Sequence, residues 1–126
     1  MSATARMFLV TGALLAALAV VCGAFGAHAL RGVVAPERLT VYQTAVQYHF
    51  LHALGLLAVA LMLEHLPRQR LLRWAGWTMI AGVVLFSGSL YLLSLSGIGW
   101  LGAVTPLGGL AFIAAWLLLA VAALRS

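Results

Sequence analysis

Four long apolar runs leave this chain few folds to choose from. Residues 7–29, MFLVTGALLAALAVVCGAFGAHA, form the first, and residues 41–63, 71–95 and 104–124 form the others. A helix crosses the hydrocarbon of a bilayer with roughly 20 mainly apolar residues, so each run is long enough to span. In a chain of 126 residues, four spans and their loops leave no room for a soluble domain. Composition agrees: 65% of residues are hydrophobic and 7% charged, and the mean hydropathy is +1.14, which makes lipid the solvent. The expectation is an all-α membrane protein, a four-transmembrane-helix bundle of up-and-down topology forming one integral membrane domain.

The breaks between runs carry turn and charge signals. Arg31–Thr40 contains Gly32, Pro36, Glu37 and Arg38 and reads as a solvated loop, Pro67 is ringed by Arg68, Arg70 and Arg73, and Ser96–Trp100 is an uncharged turn with Gly97 and Gly99. Thr105 before Pro106 reads as an N-cap followed by proline at the first helical position. With four spans, Arg6, Arg68, Arg70, Arg73 and Arg125 fall on one side and only Arg31 and Arg38 on the other. Positively charged loops stay in the cytoplasm, so both termini are expected there. Trp74, Trp77 and Trp100 lie near span ends, where aromatic belts form.

The arginines are scattered at span ends and form no stripe for nucleic acid; they suit topology and lipid headgroups. Cys22 is the only cysteine, which excludes an intramolecular disulfide and a thiolate zinc cluster. Arg6, the apolar stretch to Cys22 and the trio Ala27, His28, Ala29 also resemble a secretory signal with an A-x-A cleavage site. The run is longer than the roughly 7–15 residues of a signal core, and cleavage would leave three spans. Val20 and Val21 stand where a lipoprotein signal takes small residues. The first run is therefore expected to be a retained span.

Helices in lipid are held by close backbone approach and hydrogen bonds, so small residues mark contacts. Gly12, Ala16, Ala19, Gly23 and Ala27 share one face of the first span, with Gly26 beside them. Thr78, Gly82, Leu85, Ser89 and Ser96 recur at similar spacing in the third, and Gly108, Ala111 and Ala115 in the fourth.

The second run opens with an unusually polar stretch, TAVQYHFLHALG at 44–55. At about 100° per residue, Gln43, Gln47, Thr40, Thr44, Tyr48 and His52 occupy one half of the helix, with His49 at its edge. Unsatisfied polar groups are costly in hydrocarbon, so this face is expected to point into the bundle or a hydrated cavity that includes His28. Counting from Val41, His49 and His52 lie roughly 12 to 17 Å deep, near the midplane, with Cys22 of the antiparallel first span at a similar level.

Three roles fit such a face. Interhelical hydrogen bonding is the simplest, and it expects Gln47→Leu to lower stability by about 1 kcal/mol. A carrier of a proton, metal or small molecule is the second, since intramembrane ionisable residues mark transport paths. The third is metal or haem ligation by Cys22, His49 and His52, although stable sites take three or four ligands and these two histidines diverge by about 60°. No nucleophile elbow, carboxylate pair or phosphate loop is present, so neither an enzyme nor a bound cofactor is expected.

Three segments, GAFGAHAL at 23–30, YQTAVQYHFLHALGLL at 42–57 and TPLGGLAFIAAW at 105–116, closely resemble the YgdD-like family of small bacterial inner-membrane proteins, known as domain of unknown function 423, which has relatives among small eukaryotic transmembrane proteins. The resemblance spans essentially the whole chain. It implies a four-span inner-membrane protein with the first motif kept in the bundle. The positions that match it best are Gly23, Gly26, His28, Gln43, Thr44, Gln47, Tyr48, His49, His52, Thr105, Pro106, Gly108 and Gly109. It assigns none of them a catalytic role, and the expected partners remain the lipid bilayer and either a second copy or another membrane protein.

Overall fold

The computed structural model describes residues 1–126 and is helical almost throughout. Helix α1 (Ala3–Phe25) continues as a π-helical turn through Leu30, and α2 runs from Pro36 to His65. Helix α3 (Gln69–Gly82) passes through a second π turn, Val83–Ser87, into α4 (Gly88–Ser96). A 3₁₀ turn, Gly99–Ala103, then leads into α5 (Thr105–Leu124). These segments make four helices long and apolar enough to cross a membrane: Ala3–Leu30, Pro36–His65, Gln69–Ser96 and Gly99–Leu124.

The helix ends follow local chemistry. Ser2 caps α1, its hydroxyl accepting from the Ala5 amide at 3.1 Å. Pro36 occupies the first position of α2, where its missing N–H costs nothing, and α2 stops just before Pro67. The carbonyls left at that end are met from the next helix, because the Gln69 amide donates to Leu63 O (2.6 Å) and Leu66 O (3.0 Å). Gly97, at φ 73°, closes α4 in the left-handed conformation. Arg38 joins it there, its Nε donating to Ser94 O at 2.8 Å, a favourable place for a cation. Arg38 is thus a half-buried residue of α2 that tethers the far end of α4, not part of a solvated loop.

Thr105 also differs from its expected role. The residue before it, Val104, already has helical backbone angles and no side chain caps α5. The Thr105 hydroxyl instead meets Ser89 Oγ at 2.7 Å, joining α5 to α4.

Helix α2 is the hub. It packs along α1 on one side and against α3, the second π turn and α4 on the other, while α5 lies across α3 and that turn. At the end holding both termini, one apolar core draws on every span: Phe8 from α1, Leu56, Val59 and Leu63 from α2, Leu72 and Met79 from α3, Ala115 and Ala122 from α5. Three segments meet there. The Ser2 amide donates to Glu64 Oε1 at 3.0 Å, the N-terminal ammonium lies 3.8 Å from Glu64 Oε2, and Arg68 Nε donates to Arg125 O at 2.9 Å. Arg6, Arg68, Arg70, Arg73 and Arg125 therefore share one end, and Arg31 and Arg38 the opposite one.

Aromatic rings seated on glycines lock the helices together. Phe8 lies on Gly76, Phe112 on Gly82, the Tyr42 ring on Gly26, and the backbone of Phe86 on Gly108. Gly55 and Gly76 serve as seats although no row of small residues marks them. The row expected in the third span is broken by its π turn, in which the Gly88 amide reaches back five residues to Val83 O. Gly82 and Ser89 of that row are buried, but the extra residue shifts the register, so Leu85 and Ser96 face outward while Ser87 and Ser94 turn inward.

Gly108 and its neighbour offer a direct comparison. A Cβ on Gly108 would lie 2.7 Å from Phe86 Cα, against backbone that cannot swing aside, whereas one on Gly109 would sit at an ordinary 3.8 Å from the Phe86 ring. Gly108→Ala is expected to lower stability in detergent by about 1–3 kcal/mol and Gly109→Ala to change it little, as read from melting curves of the two variants.

Candidate functional site

Most polar side chains of the membrane-embedded region meet in the half of the bundle away from the termini, and most of their bonds run to α2. Tyr42 donates its hydroxyl to Cys22 O of α1 at 2.6 Å. His49 Nδ1 shares a 2.8 Å hydrogen bond with the Tyr91 hydroxyl of α4, and Ser87 donates to Ala45 O at 2.9 Å. The rings of Tyr42 and Tyr91 lie 5.3 Å apart, centre to centre, at the same level. In lipid, groups that pair this way are held inside the bundle because the hydrocarbon offers no alternative partner.

His52 is fixed more tightly still. Its Nδ1 lies 2.7 Å from Tyr48 O, a carbonyl that can only accept, so Nδ1 carries the proton. Nε2 must then accept, and it receives the Trp116 indole N–H of α5 at 3.0 Å. Only the neutral Nδ1–H tautomer satisfies both contacts. The imidazole also stacks on Phe112 at 3.5 Å between ring centres. Together with Tyr48 and Phe86, these rings fill the space between α2 and α5, whose backbones stay further apart.

His49 is equally buried, at 2% exposure. Its Nε2 is the one buried side-chain polar atom without a hydrogen-bond partner. The Tyr91 hydroxyl can either donate to Nδ1 or accept from it, so this bond is satisfied in both neutral tautomers of His49.

The expected polar face is therefore divided. His49 and His52 are buried and Thr44 is half-buried, its hydroxyl donating to Thr40 O. Gln43 and Gln47 are exposed on the outside of the bundle and neither side chain makes a hydrogen bond within the chain, while Tyr48 packs its ring on Phe86 and is only partly exposed. His28, carried on the first π turn, is exposed as well. The intramolecular bond that would make Gln47→Leu costly is absent from the monomer. No single cavity gathers these residues. A shallow groove of about 130 Å³ touches Gln43 together with Gly23, Gly26 and Arg31, and none of the four grooves is lined by His49 or His52.

As ligands the candidates diverge. Both His52 nitrogens are occupied, and no three His, Cys, Asp or Glu side chains converge. Of the motif glycines, Gly26 and Gly108 are close-contact seats, while a Cβ on Gly23 would meet Val46 at 3.4 Å and one on Gly109 would find only ordinary contact. Pro106 lies exposed in the first turn of α5. Tyr91, Ser87, Trp116 and Arg38 are the bonding partners that sequence reasoning passed over. Trp116 sits as a single polar-edged aromatic in an otherwise apolar stretch and Tyr91 as the one aromatic among four serines, signals available in the sequence; the role of Ser87 depends on the π turn.

The fold and its polar layer define a small four-span helical membrane protein tied together around its second helix. The chain belongs to the family described as protein of unknown function DUF423, whose model matches residues 22–109. It is 52% identical to the UPF0382 membrane protein YwdK of Bacillus subtilis over 120 residues, covering 95% of this chain and 98% of that one. A UPF0382 membrane protein of Staphylococcus haemolyticus is 42% identical, covering 95% and 97%, and one of Staphylococcus aureus is 41% identical over the same shares. No solved structure matches the fold.

Tyr91→Phe strands the one bonded nitrogen of a buried histidine, and a loss of about 1–3 kcal/mol is expected. Tyr48→Phe removes a hydroxyl that bonds nothing in the chain and is expected to be neutral. Unfolding of both variants in the same detergent, followed by circular dichroism, checks the contrast.

Proposed function

We propose that this protein is a non-catalytic interaction protein of the bacterial inner membrane, with both termini and the Pro67 turn in the cytoplasm, and that it associates first with a second copy of itself through α2. The orientation is supported by the five arginines at the end bearing the termini, against two at the other.

The observation that carries the association is the exposure of Gln43 and Gln47 without partners. Helix α2 is 30 residues long, about 45 Å, against a hydrocarbon thickness of about 30 Å. Centred in the bilayer, it puts Gln47 roughly 10 Å and Gln43 roughly 4 Å inside the apolar layer. A primary amide there needs both a donor and an acceptor. A second copy inserted in the same direction supplies both at the same depth, so two glutamines per chain satisfy each other around a two-fold axis normal to the membrane. Thr40, Gln47, Leu54 and Leu61 recur every seven residues on this exposed face, flanked by Gln43 and Phe50. That spacing suits a helix pair with a polar position fixing its register.

The transport reading is less well supported, because the inward polar groups are bonded to one another and no groove reaches the two buried histidines.

Native mass spectrometry from mild detergent, with Förster transfer between labelled chains in vesicles, tests the proposal. The wild type is expected to be dimeric, and Gln43→Leu/Gln47→Leu to be monomeric with an unchanged melting temperature. A monomeric wild type, or a dimer that survives both substitutions, would contradict it.

A further inference from the structure

A second surface feature lies at the opposite end of the molecule from the glutamines. Gln69, Arg70, Arg73, Trp74 and Trp77 line an open groove of about 560 Å³ along one side of α3. Both arginines are exposed, and Trp74 and Trp77 are 56% and 49% exposed. No carboxylate neutralises either guanidinium, since the only ion pair in the chain joins the N-terminus to Glu64. Gln69 is committed to the carbonyls of Leu63 and Leu66 and holds the rim of the groove in place.

The order of groups along α3 has a direction. Arg70 and Arg73 come first, Trp74 and Trp77 follow within two turns, and below them Ala81 and Val84 continue the exposed surface as purely apolar. From Arg70 to Trp77 the helix rises about 10 Å, comparable to the passage from headgroup to acyl chain. Trp77 is steadied edge-on by Phe8 at 5.6 Å. A cationic fork, an amphipathic indole pair and an apolar strip in that sequence match a phospholipid and no soluble anion, which would use only the first.

We propose that this groove is a binding site for an anionic phospholipid: Arg70 and Arg73 hold the phosphate, Trp74 and Trp77 flank the glycerol region, and one acyl chain lies along Ala81 and Val84. The adjoining groove around Arg68, Gln69, Arg70 and Arg125 extends the basic surface sideways, giving a second phosphate somewhere to sit.

The test uses the full chain in mild detergent offered equal amounts of phosphatidylglycerol and phosphatidylcholine with the same acyl chains, with lipid retention read by native mass spectrometry. The wild type is expected to retain the anionic lipid about tenfold over the zwitterionic one, the order two arginines near a phosphate supply. Arg70→Gln/Arg73→Gln is expected to abolish that preference, while Arg31→Gln, at the other end, leaves it intact. Both variants lie on exposed surface, and an unchanged melting curve verifies that they fold. Equal retention of the two lipids by the wild type, a preference that survives the double substitution, or one lost equally with Arg31→Gln would overturn the site. So would displacement of the lipid by inorganic phosphate alone, which would make it a soluble-phosphate site.

Discussion

Every polar group placed in hydrocarbon must find a partner inside the protein or in another one, and in this bundle that constraint falls almost entirely on α2. Its inward side meets the constraint within the chain. Tyr42, His49 and His52 reach α1, α4 and α5 in turn, while the Ala45 carbonyl accepts from the second π turn. Interhelical bonds of this kind contribute only about 0.6–1.7 kcal/mol each, so they do not outweigh packing. Their effect is directional: they fix which face of each neighbour meets α2. The glycine seats then let rings enter at those faces, and the apolar core at the other end closes around Phe8 and Met79.

The same constraint makes the outer side of α2 informative. Gln43 and Gln47 have no partner in the chain, and they lie on the face that neither α1 nor α4 covers. Within one chain these amides stay unmet, and that is the need the proposed pairing of two chains addresses. At the end bearing the termini, exposed arginines and tryptophans on α3 offer a different chemistry to the lipid. The two features sit on different helices and at different depths, so association through α2 leaves the α3 groove open.

Much of this was legible in the sequence because the governing signals are local. Four apolar runs set the spans, Pro67 marked the end of α2, and the arginine count separated the two ends. But α2 starts at Pro36, inside the stretch read as a loop, because charged Glu37 and Arg38 hid a helical turn beyond the apolar run. The 100° periodicity correctly grouped the polar residues of α2 on about half of its surface. It could not say which part of that half faces a neighbour, because that depends on where α1 and α5 pack. His52 faces α5 while Gln47, five residues earlier, faces out. Two π turns defeated periodicity elsewhere: one carries His28 outward, and the other brings Ser87 rather than Leu85 into the bundle. Thr105 was misread as a cap because its partner, Ser89, comes from another helix.

The most direct measurement is the ¹⁵N spectrum of the histidine side chains of the protein in bilayers. In the structure His52 ties α2 to α5, donating from Nδ1 to Tyr48 O and accepting from Trp116 at Nε2. The predicted result is one neutral His52 tautomer with its proton on Nδ1, whose Nε2 signal moves when Trp116 is replaced by phenylalanine. A mixture of tautomers, or a proton on Nε2 indifferent to Trp116, would mean that water rather than α5 meets this histidine, and would contradict the account.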